Sequence, residues 1–497
     1  MSNPARCHHA GQRARAWSGL LAPWRFILIG VALTASLGGC AQTPRAERGA
    51  PPPPGAASSA RAVAAQVTVH RQGARLGRVE REALVKRLGE QGSATLVQRH
   101  LAAMLRFGEV DLHAGNEAKL LVDGPATFSA MFAAIASARK SVLLESYIIE
   151  DDSIAQQLAA LLARKRAEGV QVAVLYDAVG SIGTSTAYFD SLRSSGVSVC
   201  AFNPVNPLSR PGYWNITHRD HRKILAVDRV LAFTGGINIS AVYSSGSSGG
   251  AFLRARKAAA TEAGSGNGWR DTQIQLRGPA AEALDDLVRQ TWLQQSCPGA
   301  LPVDALRRVS AAAPGPHVVR VVPTHPDDSV NQIYALLLNA IDASERSVHF
   351  TMAYFAPGSD MVDALCEAAG RGVDVRLVLP SESDFSPVLH AGRSYYDRML
   401  VAGIKIYELQ DAVLHAKTAV IDGVVSTVGS SNLDWRSLAS NNEVNAVVIG
   451  EDFGDVMARA FQRDMAASKA IELVAWRNRP LWQRTKEALA HAFEGWW

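Results

Sequence analysis

The feature that most constrains this chain is a polar motif that occurs twice, far apart in the sequence. The first copy contains His221, Lys223 and Asp228, and the second contains His415, Lys417 and Asp422. In both copies the lysine follows the histidine by two positions and the aspartate by seven. One copy alone is a weak pattern, but two copies with identical spacing are not plausibly a coincidence. The sequence therefore predicts two related units that work as a pair.

Each copy also continues to an amide side chain, Asn238 in the first and Asn432 in the second, both seventeen positions after the histidine. A buried strand with a polar end would explain the apolar runs at 224–227 and 418–421, but not the repeated polar residues. A pair of histidines can exchange a phosphodiester without a metal, because a neutral imidazole attacks phosphorus while a protonated one donates to the leaving oxygen. Lysine and asparagine donors would bind the phosphoryl oxygens. We expect a phosphodiester site with no cofactor and no metal.

Three further stretches accompany the motifs. They are Trp-Arg-Asp at 269–271, Arg-Asp before His221, and Gly-Ser-Ser-Asn-Leu-Asp-Trp-Arg-Ser at 429–437. With them the chain resembles the phospholipase D superfamily over residues 118–497, and within it the bacterial cardiolipin synthases. The resemblance implies an α/β fold with two homologous lobes, each a mixed β-sheet flanked by helices, and an active site at the lobe interface.

The resemblance also implies roles for single residues. The first-motif histidine, His221, is the expected nucleophile and His415 the expected acid and base, although the residues alone allow the reverse. Each ring needs an acceptor for its second N–H, and by resemblance Glu443 orients His221 and Asp271 orients His415. Asp228 and Asp422 complete the catalytic motifs and are expected in structural or positioning roles. Tyr147 and Tyr354 end matching strands and are interpreted either as facing the cleft or, with preference, as core aromatics.

Apolar runs alternate with amphipathic stretches in both halves, which predicts an α/β fold. The first half predicts a helix at 153–168 and a strand at 170–176, and the second repeats the plan with a helix at 361–371 and a strand at 373–379. A charged stretch at 78–106 predicts a helical arm. A segment rich in Gly and Ser at 244–268 is interpreted either as a mobile loop near the site or as a plain surface insertion. The predicted domains are a signal and anchor at 1–40, a linker at 41–75, lobes at 76–300 and 301–470, and a tail at 471–497.

The N-terminus resembles an export signal of the lipoprotein type. Arginines precede an apolar run, and Leu-Gly-Gly at 37–39 leads to Cys40, the predicted lipidation site. The run is short for a spanning helix, so a lipid anchor is favoured over an uncleaved one. We expect a bacterial envelope lipoprotein that faces the periplasm, with the outer membrane favoured because Ala41 follows the cysteine.

The net charge and the cysteines bear on the possible ligands and on the kind of fold. The chain carries a net charge of +5, and four of those charges are arginines before residue 40. The nearly neutral remainder gives no electrostatic case for nucleic acid, and a monomer is expected. Cys200, Cys297 and Cys366 are widely spaced and odd in number, which argues against a disulfide framework. Trp, Arg and Lys in the tail are typical of a membrane-interface segment, and a helix docked on the body is the alternative.

Three reactions fit these residues. The favoured one is a phosphatidyltransferase that makes cardiolipin from two phosphatidylglycerols through a phosphohistidine. A hydrolytic phospholipase D would use water as acceptor and the same side chains. A nuclease-type phosphodiesterase is disfavoured by charge, and a tethered binding protein with a dead site is disfavoured by the intact motifs.

Overall fold

The computed structural model describes residues 59–71, 74–88, 93–206, 217–246, 268–302 and 314–496. These ranges fall within one compact unit, Thr43–Trp497. Three parts of the chain lie outside the described residues. They are the predicted anchor at 1–40, most of the Gly- and Ser-rich segment at 244–268, and residues 303–313 at the start of the predicted second lobe. Among the described residues, no helix combines the length and the apolarity that crossing a bilayer requires.

The described chain begins with an arm that packs on the body. Its elements are helix α1 (Ala60–Gln66), strands β1 (Thr68–Arg71) and β2 (Ala74–Arg75), and helices α2 (Arg78–Arg87) and α3 (Ala94–Met104). Strand β1 pairs in parallel with residues 111–113 of the first lobe, and α1 buries Val63 and Ala64. The predicted linker at 41–75 is therefore wrong from residue 59 onward, because Ala and Val side chains there join the core. The arm predicted at 78–106 contains two helices.

The first lobe carries the first motif on a set of alternating strands and helices. Its elements are β3 (Asp111–Val122), α4 (Asp123–Ser137), β4 (Ser141–Ser146), α5 (Ser153–Ala167), β5 (Gln171–Asp177), α6 (Thr186–Ser194), β6 (Ser198–Phe202), β7 (Arg219–Asp220), β8 (Lys223–Val227), β9 (Leu231–Gly235), β10 (Gly268–Arg270), β11 (Thr272–Arg277) and α7 (Pro279–Gln294). Helix α5 begins where the Asp152 carboxylate accepts the backbone N–H groups of Ile154 and Ala155, as an N-cap does.

The second lobe repeats this plan. Its elements are β12 (His317–Thr324), α8 (Gln332–Ala343), β13 (Ser347–Met352), α9 (Gly358–Gly370), β14 (Asp374–Pro380), α10 (Ser386–Ser394), α11 (Tyr396–Val401), β15 (Lys405–Leu409), β16 (Ala412–Leu414), β17 (Lys417–Ile421), β18 (Val425–Gly429), α12 (Trp435–Ala439), β19 (Asn441–Ile449), α13 (Glu451–Ala466) and β20 (Ser468–Ala470). The tail adds α14 (Leu473–Arg477) and α15 (Leu481–Ala492).

The strands form one continuous mixed sheet across both lobes. The order is β6-β5-β4-β8-β9-β11-β3 in the first lobe, followed by β12-β19-β18-β17-β13-β14-β15-β20. The second lobe repeats the strand order of the first in reverse, and the two lobes join where β3 pairs antiparallel with β12. The predicted fold, two homologous lobes with mixed sheets and flanking helices, is confirmed.

Two short parallel pairs cross between the lobes and bring the motifs together. Strand β7, which precedes His221, pairs with the start of β19, and β16, which precedes His415, pairs with β10. Each motif histidine therefore directly follows a short strand that pairs with the other lobe. A core of apolar residues from both lobes, with α7 and α13, lies behind this crossing.

A disulfide joins Cys200 in β6 to Cys297 after α7. The prediction that the cysteines form no disulfide is therefore wrong. Spacing alone could not reveal the bond, because its two cysteines are 97 residues apart and become neighbours only in the folded lobe. Cys366 is free and partly buried.

We expect Cys297→Ser to lower the free energy of unfolding by about 2 to 4 kcal/mol, because the bond closes a long loop and so limits the unfolded ensemble. Urea denaturation of the oxidised protein would measure the loss, and a thiol reductant should lower the wild type to the same level. Cys366→Ser is the matched control and should leave the reductant effect intact. An equal midpoint for wild type and Cys297→Ser would contradict the prediction.

Candidate active site

His221 lies at the lobe interface and is oriented from the opposite lobe. Its Nδ1 is 3.0 Å from Glu443 Oε1, and its backbone N–H donates to the Asn442 carbonyl at 3.0 Å. Glu443 is fully buried and also accepts a hydrogen bond from the Ser430 hydroxyl at 2.5 Å. The carboxylate thus holds the ring by Nδ1 and leaves Nε2 as the nitrogen available to a ligand.

His415 has the reciprocal arrangement. Its Nδ1 is 2.8 Å from Asp271 Oδ2, and its backbone N–H donates to the Arg270 carbonyl at 2.8 Å. The Tyr243 hydroxyl lies 3.3 Å from the same Nδ1. Position 236, just after the first motif, requires glycine, because a Cβ there would overlap the Asp271 carboxylate. The structure therefore places both predicted acids, Glu443 and Asp271, on the histidine of the other motif.

Both histidines line a single cleft of about 420 Å³ between the lobes. Tyr147 contacts His221 edge to face, with ring centroids 4.8 Å apart, and Tyr354 faces His415 at 6.2 Å. Both tyrosines also line the cleft, so of the two alternatives the favoured core position is wrong and the cleft-facing one fits. Each strand carries its tyrosine just beyond its last sheet hydrogen bonds, where the side chain turns towards the histidine.

The two motif lysines lie beneath the histidines. Lys223 Nζ donates to the His221 carbonyl at 2.6 Å, and Lys417 Nζ donates to the His415 carbonyl. Both side chains are almost completely buried. An ammonium has three N–H donors, so each lysine keeps donors for a bound anion while its charge raises the local potential. Their predicted role on the phosphoryl oxygens stays a prediction.

Asn238 and Asn432 both line the cleft. Asn238 Oδ1 accepts the Ile148 N–H at 3.2 Å, which turns its NH₂ group towards the Tyr243 hydroxyl, also at 3.2 Å. The Asn432 side-chain oxygen is buried without a hydrogen-bond donor among the described residues. The substrate-binding role of Asn432 therefore stays a prediction.

The motif aspartates lie at the other end of their strands. Asp228 accepts the backbone N–H groups of residues 139–141, and Asp422 accepts those of residues 345–347. Asp422 also pairs with His100 of the arm at 2.9 Å. The grouping of Asp228 and Asp422 with the catalytic side chains is therefore wrong, and the structural role that was also expected for them fits, since each carboxylate fastens a helix-to-strand turn.

Sequence reasoning missed several residues that line the cleft. They are Tyr243, Trp269, Asp384, Phe385, Asp434, Arg436 and Ser437. Arg436 is exposed, and its guanidinium has no hydrogen bond or ion pair with any described residue. The sequence signal for these residues was limited to two stretches already noted, Trp-Arg-Asp at 269–271 and Asp-Trp-Arg-Ser at 434–437. A cleft between lobes leaves no periodic pattern in the sequence that would reveal the others.

Burial and neighbouring charges set the protonation of the rings. Burial, followed by the charges of Lys223 and Lys417, holds the pKa of His221 well below its ordinary value, so this ring is neutral near pH 7. Burial and Lys417 also lower the pKa of His415, but the carboxylate of Asp271 opposes them. Burial raises the pKa of Glu443 to about 7 and lowers those of Lys223 to about 7 and Lys417 to about 8. A phosphodiester anion in the cleft would favour a proton on one ring, and the opposed charges favour His415.

Two buried acidic residues also lie next to each other behind the first motif. Glu145 of β4 and Asp220 of β7 are fully buried, and among the described residues none makes a hydrogen bond of ordinary geometry to their carboxyl oxygens. Two carboxyl groups can share a hydrogen bond only when one keeps its proton. Burial, followed by the charge of Asp220, raises the pKa of Glu145 well above its usual range. Arg222 lies 3.8 Å away and opposes this shift.

We expect Glu145→Gln to stabilise the protein at pH 8 by about 1 to 3 kcal/mol, the range for relieving one unsatisfied buried polar group. A carboxyl group whose folded pKa is raised costs stability as pH rises above its unfolded value. The gain should therefore disappear below about pH 4. Urea denaturation at both pH values measures it, with the exposed Glu168→Gln as control. A gain of the same size at both pH values would contradict this account.

Within the described ranges, no cluster of three or more His, Cys, Asp or Glu side chains has the geometry of a metal site. The side chains that the cleft brings together are two oriented imidazoles, two buried lysines and two amides.

Comparison with known proteins gives the class. The family described as cardiolipin synthase, PLD-like domain, matches residues 131–245 and 337–465, one segment in each lobe. The chain is 34% identical to a cardiolipin synthase of Geobacillus kaustophilus over 78% of this chain and 73% of that protein. It is 35% identical to cardiolipin synthase A of Pseudomonas entomophila over 75% and 73% of the two chains. A phosphatidylserine synthase structure from Haemophilus influenzae has the same fold, with a TM-score of 0.57 at 13% identity, and covers 76% of this chain and 92% of its own.

Fold and site define a two-lobed enzyme whose paired histidines share one cleft. The chain belongs to the phospholipase D superfamily and, within it, to the cardiolipin synthase-like phosphatidyltransferases.

Proposed function

We propose that this enzyme makes cardiolipin from two molecules of phosphatidylglycerol through a phosphatidyl-His221 intermediate. The observation that carries the proposal is the reciprocal pairing across the interface, Glu443 on His221 and Asp271 on His415, with both rings in one cleft. The cardiolipin synthases with about a third of identical residues support the same substrate class.

The proposed chemistry balances in two steps. Neutral His221 attacks phosphorus through Nε2, and the bond to the headgroup glycerol breaks as His415 donates a proton to that oxygen. The glycerol hydroxyl of a second phosphatidylglycerol then attacks the phosphorus, gives its proton to His415, and releases His221. Lys223, Lys417, Asn238 and Asn432 would stabilise the charge on the phosphoryl oxygens.

We also propose an envelope location, with Cys40 carrying the lipid anchor and the enzyme facing the periplasm. The disulfide between Cys200 and Cys297 supports an oxidising compartment. The outer membrane remains the favoured site, on the strength of the residue after Cys40.

The alternative is hydrolysis, which would need the same side chains. Purified protein in detergent, supplied with phosphatidylglycerol alone, distinguishes the two when lipid products are resolved by mass spectrometry. Cardiolipin with an equal amount of glycerol supports the transferase. Phosphatidic acid without cardiolipin would overturn the proposal in favour of the hydrolase.

Arg436 favours transfer to a lipid over transfer to water. Among the described residues it has no ion pair, and it lines the cleft. Burial and the two motif lysines lower the pKa of His221 most, and the charge of Arg436 acts in the same direction. Water needs no cation, whereas a second phosphatidylglycerol brings its own phosphate. We expect Arg436 to bind the phosphate of this acceptor.

We expect Arg436→Gln to lower cardiolipin formation about ten- to a hundredfold, the scale of one hydrogen bond to a charged group, while exchange of the headgroup with labelled glycerol changes less than about threefold. Glycerol is neutral, so only an acceptor phosphate distinguishes the reactions. Arg346→Gln, an exposed arginine at the far end of β13, is the control. Equal losses in both reactions would show that Arg436 serves the donor lipid instead.

A further inference from the structure

The C-terminal helices are held to the second lobe by polar contacts. Arg477 Nε of α14 donates to Asp397 of α11 at 2.7 Å. Within the tail, Arg479 Nε donates at 3.1 Å to Glu487 of α15, which is buried. Glu494 accepts the Gly358 backbone N–H at 3.1 Å and the Tyr395 hydroxyl at 2.6 Å. The side of α15 that faces the protein therefore carries charged residues.

The opposite side of α15 is apolar and faces solvent. Leu481, Trp482, Leu489 and Phe493 are exposed by 74, 58, 58 and 41%. At 100° per residue their positions fall on one face of the helix. Of twelve exposed large apolar residues in the described ranges, these four and Val474 belong to the tail. A surface helix ordinarily buries its apolar stripe, so α15 has the inverse arrangement.

Helix α15 lies beside a helix that lines the cleft. Helix α15 packs along α10, and Ala490 contacts the apolar cluster that contains Ala356 and Val388. Val388 also lines the cleft. Phe385, at the start of α10, lines the cleft as well and is 39% exposed. The protein-facing side of α15 thus packs on α10, two of whose neighbouring apolar residues, Phe385 and Val388, line the cleft.

The charges beside this face indicate its partner. Lys486 lies over the Trp482 ring at 4.8 Å, and Arg484 is also exposed on the same helix. Apolar and aromatic side chains flanked by cations suit the interface of a bilayer that contains anionic lipids. An apolar interface with a second copy of the chain would gain nothing from these cations.

We propose that the outward face of α15 inserts into the surface of an anionic bilayer and sets the cleft against the lipid that it takes up. The inference rests on the proposed function for the identity of that lipid. Helix α15 would act as a docking element, separate from any N-terminal anchor.

Full-length protein bound to vesicles of phosphatidylcholine and phosphatidylglycerol with brominated acyl chains gives the direct test. The fluorescence contributed by Trp482 is the difference between wild type and Trp482→Phe. Bromine should quench this difference signal on phosphatidylglycerol-containing vesicles, because the ring lies at acyl-chain depth. An unquenched Trp482 would overturn the proposal, even when the N-terminal anchor keeps the protein on the vesicle.

A charge on the same face supplies the second test. Leu489→Glu should lower turnover of vesicle phosphatidylglycerol at least tenfold and leave turnover of a dispersed short-chain phosphatidylglycerol within about twofold. Leu293→Glu is the matched control, since Leu293 is 74% exposed on α7. Unchanged vesicle turnover in Leu489→Glu would overturn the proposal, as would a wild-type dimer that this substitution dissociates. If wild type turns over neither lipid, the proposed function fails, whereas the quenching still decides the docking.

Discussion

His221→Ala is expected to lose at least about four orders of magnitude in phosphatidyl transfer, the scale of removing a covalent nucleophile. The ring is buried at the lobe interface, held through Nδ1 by Glu443 and kept neutral by burial and two lysines. No other imidazole in the described cleft can replace it, because His415 is held by the opposite carboxylate. Initial rates of cardiolipin formation in detergent measure the loss.

The control for this loss is His70→Ala. His70 belongs to the arm, is partly exposed and does not line the cleft. It should keep full activity, and the thermal midpoint of His221→Ala should stay near that of the wild type. Activity in His221→Ala above a hundredth of the wild-type rate would show that the nucleophile lies elsewhere.

His415→Ala is expected to lose about 10² to 10⁴ in rate with phosphatidylglycerol, the usual contribution of an acid and base. The loss should depend on the leaving group. Glycerol leaves as a basic alkoxide and needs the proton from His415, whereas p-nitrophenol leaves without one. With phosphatidyl-p-nitrophenol, release of nitrophenol by His415→Ala should return to within about tenfold of wild type for the first turnover.

The same substrate separates the two histidines. Because His221 forms the bond to phosphorus, His221→Ala should release no burst of nitrophenol from phosphatidyl-p-nitrophenol and no glycerol from phosphatidylglycerol. The residues alone allow the reverse assignment, and the environment of each ring gives the reason to choose: Asp271 favours a proton on His415, while two lysines disfavour one on His221. Rescue of His221→Ala and not of His415→Ala would reverse the roles.

Much of the fold is predictable because the signal is local. The helix predicted at 153–168 is α5 (Ser153–Ala167), and the strand predicted at 373–379 is β14 (Asp374–Pro380). Apolar periodicity, N-caps and glycine at the turns determine such elements within a few residues. The linker was misjudged because its Ala-rich end looks unstructured until β1 finds its partner in β3.

Only those site residues that belong to a sequence motif could be predicted. Repetition identified the histidines, lysines and asparagines, and resemblance supplied Glu443 and Asp271. Tyr243 and Arg436 reach the cleft through the crossing of β10 with β16 and the short helix α12, which depends on tertiary contacts. The disulfide has the same origin, since β6 and the end of α7 meet only in the folded lobe.

The most direct test of the shared site is to identify the residue that becomes phosphorylated. His415→Ala, mixed with phosphatidyl-p-nitrophenol and quenched at alkaline pH, should hold the phosphatidyl group on one imidazole, since the acid and base that would pass it onward is missing. Peptide mapping by mass spectrometry should place that adduct on His221. An adduct on any other residue, or a nitrophenol burst without an adduct, would contradict the account.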